Sequence, residues 1–441
     1  MVFNNLKRAL HFTLILIIFF TIFGNVYAGG GNVLTKLDKL KLEIENAGDQ
    51  VKIFAAFKGT NNFEGNIDID FYYKLIYENN PFPVNDSFCF TFQKKESRSA
   101  NFITLRPSSL ACVIEGKFNR STGESSNISI IVPASRKFSA ISSNNNIQSF
   151  WKKTYSEIEN IELNEKFELD TNLSNANLKV YNVTYNSLDG VKIHGYYFYP
   201  VLKNKKKLPG LLHVHGYKTV IKKPLESITN AANIAVLQIE LRGNGRSRET
   251  YVPETEYILD KIGSPQTYIF KGYIADCICG LRLLQKLENV DDSRLFMLGG
   301  SQGAGLVLLT ASIIEDGLKA AVKTVIADEP FMCNFKLGME TADEGPYEIL
   351  RSFIVKNPNL QKQIYATLSY FDLINNADRI SCPVYISIGG KDKVCPPATI
   401  DSVIKIISRK LVCLKHYPNA VHEIGEAQLR EKIDWLNIFL K

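Results

Sequence analysis

Hydrophobic residues follow two regimes along this chain. Between Gly30 and Ala140 they fall in short runs, Val51 to Phe57, Ile67 to Tyr77, Ser87 to Phe92, Asn101 to Leu105, Ala111 to Phe118 and Asn127 to Val132. Several alternate apolar and polar, as in Ile67-Asp68-Ile69-Asp70-Phe71, which sends successive side chains to opposite faces of a strand. Asn, Gly, Pro and Ser clusters separate the runs. The spacing predicts an all-β sandwich over residues 30–140, immunoglobulin-like in its short strands. A Ser/Asn-rich linker, Ser139 to Asn146, follows.

From Ile147 the period changes. Phe150, Trp151, Tyr155 and Ile158 share one side of a predicted helix over 147–161. Two β-runs, Lys179 to Tyr185 and Val191 to Tyr199, meet at Asp189-Gly190, a pair suited to a hairpin turn. Apolar strands then alternate with amphipathic helices. The strands are Gly210 to Val214, Ile234 to Ile239, Arg294 to Leu298, Ala321 to Ala327, Val384 to Ile388 and Leu411 to His416. The helices include Tyr268 to Leu287, Gly303 to Ile314, Pro346 to Val355, Pro397 to Ile407 and Ile424 to Leu440. That alternation over 147–441 predicts an α/β fold, a mostly parallel sheet with helices on both faces. Functional loops then gather at the carboxyl ends of the strands.

Composition adds limits. At 441 residues, 45% hydrophobic and 22% charged, the chain has core enough for two domains. The formal charge of +7 is scattered. Its one dense run, Lys203 to Lys207, reads as a solvated loop, and no nucleic-acid signature is present. Residues 1–28 read as a signal peptide: Lys7 and Arg8, the apolar stretch Leu10 to Phe23, and small residues at Val26 and Ala28 before a cleavage site. The apolar stretch is short of the ~20 residues a spanning helix needs, so no stable membrane span is expected after cleavage, and the protein is expected to be secreted or periplasmic. Export permits disulfides. Of eight cysteines, Cys89 and Cys112 are the candidate bridge, with two unpaired strand cysteines as the alternative. Cys277 and Cys279 face different ways on one helix, and Cys333, Cys382, Cys395 and Cys413 read as buried small hydrophobes.

The chemistry sits in three loops. Gly299-x-Ser301-x-Gly303, between an apolar strand and a small-residue helix, reads as a nucleophile elbow. Gly389-Gly390-Lys391-Asp392 follows the Val384 strand, and Pro418-Asn419-Ala420-Val421-His422-Glu423 follows the Leu411 strand. The order Ser301, Asp392, His422 is the order of an α/β-hydrolase triad. Serine alone is a weak nucleophile; histidine takes its proton, and a carboxylate holds the imidazole. Asp372 and Asp378 are alternative acids, though neither directly follows a predicted core strand. His416 lies within a strand and reads as structural, and Glu423 as loop support. The backbone N–H of Gln302 supplies one oxyanion donor and that of Tyr217, after Gly216, the other. His213 and His215 share a strand face with no carboxylate beside them, so they read as packing residues. No Cys-x-x-Cys or Cys/His cluster suggests zinc, and no metal or cofactor is expected.

Several ordered blocks carry a family likeness. They are His215-Gly216-Tyr217, Arg242-Gly243-Asn244-Gly245, Gly299-Gly300-Ser301-Gln302-Gly303, Asp328-Glu329-Pro330-Phe331, Thr367-Leu368-Ser369-Tyr370-Phe371-Asp372, Asp392-Lys393-Val394-Cys395-Pro396-Pro397 and His422-Glu423. From about Phe150 onward the chain resembles the acetyl xylan esterase and cephalosporin-C deacetylase family, carbohydrate esterase family seven. The resemblance implies an α/β-hydrolase with triad Ser301, Asp392 and His422, an oxyanion hole from Tyr217 and Gln302, and deacetylation of acetylated oligo- or polysaccharide without a metal. Three departures stand out. Asn244 replaces a glutamine in a block whose arginine, here Arg242, is expected to brace loops. Lys218 to Lys223 replaces a glycine-rich stretch bordering the pocket. The leader and β-domain are additions to a family often cytoplasmic and hexameric, which leaves a homo-oligomer open. The reading is therefore a secreted serine esterase for small acyl groups. A hydrolase of other esters or peptides, or a non-catalytic glycan-binding protein, are the alternatives. The β-domain's role stays open between glycan or partner binding and support.

Overall fold

The computed structural model describes residues 146–440 apart from 203–206, 222–223, 408–411, 418 and 423–425, and in the N-terminal part the strands named below with residues 93, 98, 99 and 101. The signal-peptide reading of 1–28 lies, but for 25–26, outside the described residues, as do the linker at 139–145 and most of the basic run at 203–207. The chain divides into two compact units, 1–78 with 83–135, and 79–82 with 136–441.

The first unit is antiparallel throughout. Strands β1 (Asn25–Val26) and β2 (Thr35–Lys36) form a pair. Strands β3 (Leu40–Ala47), β4 (Gln50–Phe57), β5 (Ile67–Tyr77), β6 (Val84–Phe92), β7 (Ile103–Leu105), β8 (Cys112–Asn119) and β9 (Ser125–Val132) make two sheets, ordered β3-β4-β7 and β6-β5-β8-β9. Phe54, Phe71, Phe90 and Phe92 are buried. Ser99 ties the sheets together, its N–H donating to Ala55 on β4 and its hydroxyl to Thr91 on β6. The register excludes the Cys89–Cys112 bridge. Cys89 pairs with Asp70 and Cys112 with Tyr77, on opposite sides of β5. At about 3.3 Å per residue those positions are roughly 23 Å apart along the strand, against a disulfide Cα separation of about 7 Å at most.

The second unit opens with α1 (Ile147–Glu159), whose Trp151 Nε1 donates to Tyr370 O at 2.9 Å. A nine-stranded sheet follows, with β10 (Lys166–Leu169), β11 (Leu178–Asn186), β12 (Lys192–Pro200), β13 (Leu208–Val214), β14 (Ala235–Glu240), β15 (Val290–Gly300), β16 (Val322–Asp328), β17 (Val384–Gly389) and β18 (Val412–Tyr417). Its order is β10-β11-β12-β14-β13-β15-β16-β17-β18, parallel from β14 onward. The expected hairpin is β11–β12, and its turn places Asp189 (φ 63°) and Gly190 (φ 71°) in left-handed space. Around the sheet lie α2 (Glu226–Ala232), α3 (Ile269–Lys286), α4 (Gln302–Ile313), α5 (Asp316–Ala321), α6 (Phe335–Thr341), α7 (Pro346–Lys356), α8 (Gln361–Phe371), α9 (Pro397–Ile404) and α10 (Glu426–Leu440). One face buries Leu211, Val236, Leu298, Ile326 and Trp435 in a single apolar cluster. Helix α4 is buried along its whole length, which is why its sequence is apolar on every side.

Arg242 braces loops as expected. Its guanidinium donates to Asp276 Oδ1 at 2.8 Å on α3 and to Leu188 O in the hairpin turn. Gly272 makes room, since a Cβ there would stand 2.3 Å from Arg242 Nη1. Both charged groups are buried, so the pair is desolvated and each partner depends on the other.

Candidate active site

Ser301 sits between the last residue of β15 and the first of α4, at φ 54° and ψ −115°. That conformation is costly for a side-chain-bearing residue and is held from outside. The Ser301 N–H donates to Asp328 O at 2.8 Å, and its C=O accepts from Phe331 N at 3.0 Å. The flanking glycines are steric requirements. A Cβ on Gly303 would lie 2.1 Å from Val214 O, and one on Gly299 would lie 2.3 Å from the Gly303 carbonyl carbon. The motif thus describes a helix start pressed against β13.

Asp392 and His422 are brought together by the loops after β17 and β18. Asp392 is fully buried, and its Oδ1 accepts from Val394 N at 2.8 Å and Cys395 N at 2.9 Å. Its Oδ2 lies 2.7 Å from His422 Nδ1. A carboxylate only accepts, so Nδ1 is the donor of this pair, and Nε2 is the acceptor whenever the imidazole is neutral. Cys395, whose N–H holds the Asp392 carboxylate, carries a buried thiol on the same loop. Burial first, and then the charge of Asp392, pushes that thiol well above its ordinary range, so it stays protonated.

The two oxyanion candidates flank Ser301. Gln302 is the first residue of α4, where helix geometry leaves N–H groups without intrahelical acceptors. On the other side, a Cβ on Gly216 would come within 3.7 Å of Ser301 Cβ, so Tyr217 follows directly on this approach. His215 shapes that loop, with Nδ1 2.7 Å from Gly216 O and Nε2 accepting from Leu241 N at 3.2 Å. Beyond it, the Tyr217 hydroxyl donates to Glu256, as does Lys218 Nζ at 2.9 Å. A cavity of about 290 Å³ opens beside the turn, bounded by Gly216, Gly300, His213 and Gln238 and walled by Thr219 to Ile221. The departing loop therefore does border a pocket.

The alternative acids are elsewhere. Asp372 is a buried cap accepting from Asn334 N, Phe335 N and Ile374 N. Asp378 is exposed in a short 3₁₀ turn. His416 is buried in β18, and Glu423 lies outside the described residues. Sequence reasoning missed Glu329, Ser387 and Gln428, which form a buried hydrogen-bonded group between the ends of β16 and β17 and the start of α10. The only signal was Glu329's place in the Asp328–Phe331 block, which carries no role by itself.

The sheet, the strand-to-helix turn and the loop order define an α/β-hydrolase. Residues 136–438 match the family described as Acetyl xylan esterase (AXE1), and the chain belongs to that family. It is similar to acetyl esterase Axe7A of Xylanibacter ruminicola, 30% identical over 229 residues, 49% of each chain. The chain thus spans about half the length of that curated relative. An acetyl xylan esterase from a Paenibacillus species superposes with TM-score 0.61 at 26% identity, over 68% of this chain and 96% of that one. Acetyl xylan esterase 1 from a Thermoanaerobacterium species shares the fold, with TM-score 0.60 at 22% identity over 68% and 93%.

Proposed function

We propose that the chain is a secreted serine esterase that removes acetyl and similarly small acyl groups from acetylated carbohydrate. The observation that carries this reading is the 2.7 Å Asp392–His422 pair, on loops at the strand ends of the same parallel sheet whose β15 leads into the serine's left-handed turn. In this reading His422 Nε2 takes the proton from Ser301 Oγ as the oxygen attacks the acyl carbon. The N–H groups of Tyr217 and Gln302 hold the resulting oxyanion. The tetrahedral adduct collapses, the C–O bond to the sugar breaks, and the sugar oxygen leaves with the proton from His422. Water, deprotonated by His422, then attacks the acyl-serine, releasing acetate and restoring the hydroxyl. The leader at residues 1–28 supports export, where polysaccharide is met.

The test is acetate release from acetylated xylo-oligosaccharides, with 4-nitrophenyl esters of rising acyl length alongside. Acetate should be the preferred acyl group; equal turnover of long chains would sink the deacetylase reading. Ser301→Ala should lose activity by about 10⁴-fold or more. A chain that neither turns over these esters nor takes a fluorophosphonate label on Ser301 would be a binding protein instead.

A further inference from the structure

We propose that Glu329 is a positioning residue for His422, acting through Gln428 as a strap between the nucleophile's turn and the helix that follows the histidine loop; this rests on the serine-esterase reading above. Glu329 adjoins the clamp on Ser301, since the Asp328 carbonyl receives the serine's N–H. Its side chain points the other way along the path. Glu329 Oε1 accepts from Gln428 Nε2 at 2.8 Å, and Gln428 stands in the first turn of α10, six residues after His422. The second Gln428 N–H goes to Ser387 Oγ at 2.6 Å, and Ser387 donates on to Asp328 Oδ1 at 2.9 Å. With Lys432 on Asp328 and Trp435 on Thr324, this bond joins the end of β16, which clamps Ser301, to the helix after His422, and among these ties it is the one nearest the start of that helix.

Two penalties meet at this residue. Glu329 has φ 43°, a conformation that favours Gly or Asn, and its carboxyl is buried, 4% exposed. An apolar side chain would avoid the second cost. Such outliers persist where the surroundings require them and gather at working sites. The charged and titratable groups around it come from every packed element. They are Asp328 on β16, bound to Lys432 of α10 at 2.5 Å, then Asp392 after β17 and His422 after β18. Burial, followed by Asp328, pushes the carboxyl up to about 8, against the pull of His422. At neutral pH it is an acid that accepts from Gln428; above pH 8 it becomes a second negative charge near the imidazole.

The experiment measures kcat and KM on 4-nitrophenyl acetate for the full chain and for Glu329→Gln, Glu329→Ala, Gln428→Ala and the double alanine variant. Each single alanine should lower kcat by about 100-fold, the cost of misplacing a reacting group by about an ångström, with KM little changed. The double variant should be no worse than the worse single, because both remove one bond. Glu329→Gln, which still offers an accepting oxygen, should keep near wild-type kcat at pH 6 and fall behind several-fold at pH 9. Wild-type kcat in either alanine variant, additive losses, or a glutamine variant as damaged as the alanine would each overturn the proposal. If Glu329→Ala does not fold, Gln428→Ala and Glu329→Gln still decide. A wild-type chain inert to both ester and fluorophosphonate overturns the esterase reading and this one together; active wild type with unaffected variants overturns only this one.

Discussion

A side chain is absent at 303 because a carbonyl occupies its place. A Cβ on Gly303 would stand 2.1 Å from Val214 O, and both atoms belong to backbone that cannot rotate away. Gly303→Ala should therefore push α4 off β13, costing about 3 kcal/mol or more and disturbing the Gln302 and Tyr217 amides, the proposed oxyanion donors. A chemical denaturation curve reads the first effect and ester turnover the second. Normal stability in that variant would mean that the turn tolerates a different entry into the helix. The neighbouring Gly300 has open space around its Cβ position, so Gly300→Ala is the matched control and should be near neutral.

Elements are joined by buried polar groups as well as by apolar packing. Arg242, after β14, holds α3 through Asp276 and the β11–β12 turn through Leu188 O. Arg242→Met leaves Asp276 buried without its cation, and removing one member of a buried pair typically costs about 3–5 kcal/mol. A lowered melting temperature with unchanged KM is the expected result; loss of substrate binding instead would point to a direct role at the site. At this scale much could be read from the sequence. The strands β13 to β18 and helices α3, α4, α7 and α9 fall where the apolar period placed them, because each is buried along one stripe or throughout. The short helices α2, α5 and α6 did not, since one or two turns leave too few repeats to reveal a period, and α8 (Gln361–Phe371), three turns long, was not read as a helix either. The cysteine pair failed for another reason. Strand register decides whether two cysteines meet, and β5, lying between β6 and β8, sets it. Glu329 and Gln428 are 99 positions apart, so their bond had no local signal. The Ser301, Asp392 and His422 loops were legible because strand ends in a parallel sheet place their loops together whatever the sequence distance.

At the scale of the whole molecule, several buried groups link folding to pH. His213 is pulled down to about 3 by burial and then by His215 and Lys432, and His416 to about 4 by burial. Asp372 is pushed up to about 7 by burial, and Glu329 to about 8. Burial also holds His215 below its ordinary range, so below pH ~6.5 the unfolded chain protonates three histidines that burial disfavours charging in the folded chain, and stability is lost as pH falls toward 3. From pH ~4 to 8 the folded chain retains carboxyl protons that the unfolded chain releases, so stability falls as pH rises. The two trends oppose each other up to about 6.5, and above that only the second acts. Melting temperature should rise from about pH 5, peak near pH ~6 to 6.5 and then decline toward pH 8. Glu329→Gln should flatten that decline; the same slope in the variant would remove Glu329 as its cause.

The left-handed turn at Ser301 has a consequence for how this protein ages. Its φ of 54° is imposed by the Asp328 and Phe331 backbone whatever side chain stands there. Glycine would adopt it at no steric cost, whereas serine stores about 1 kcal/mol. Ser301→Gly should thus be dead as an esterase yet last longer on heating than the working chain. On the proposed function, selection for durability alone would remove the very side chain that the reaction needs.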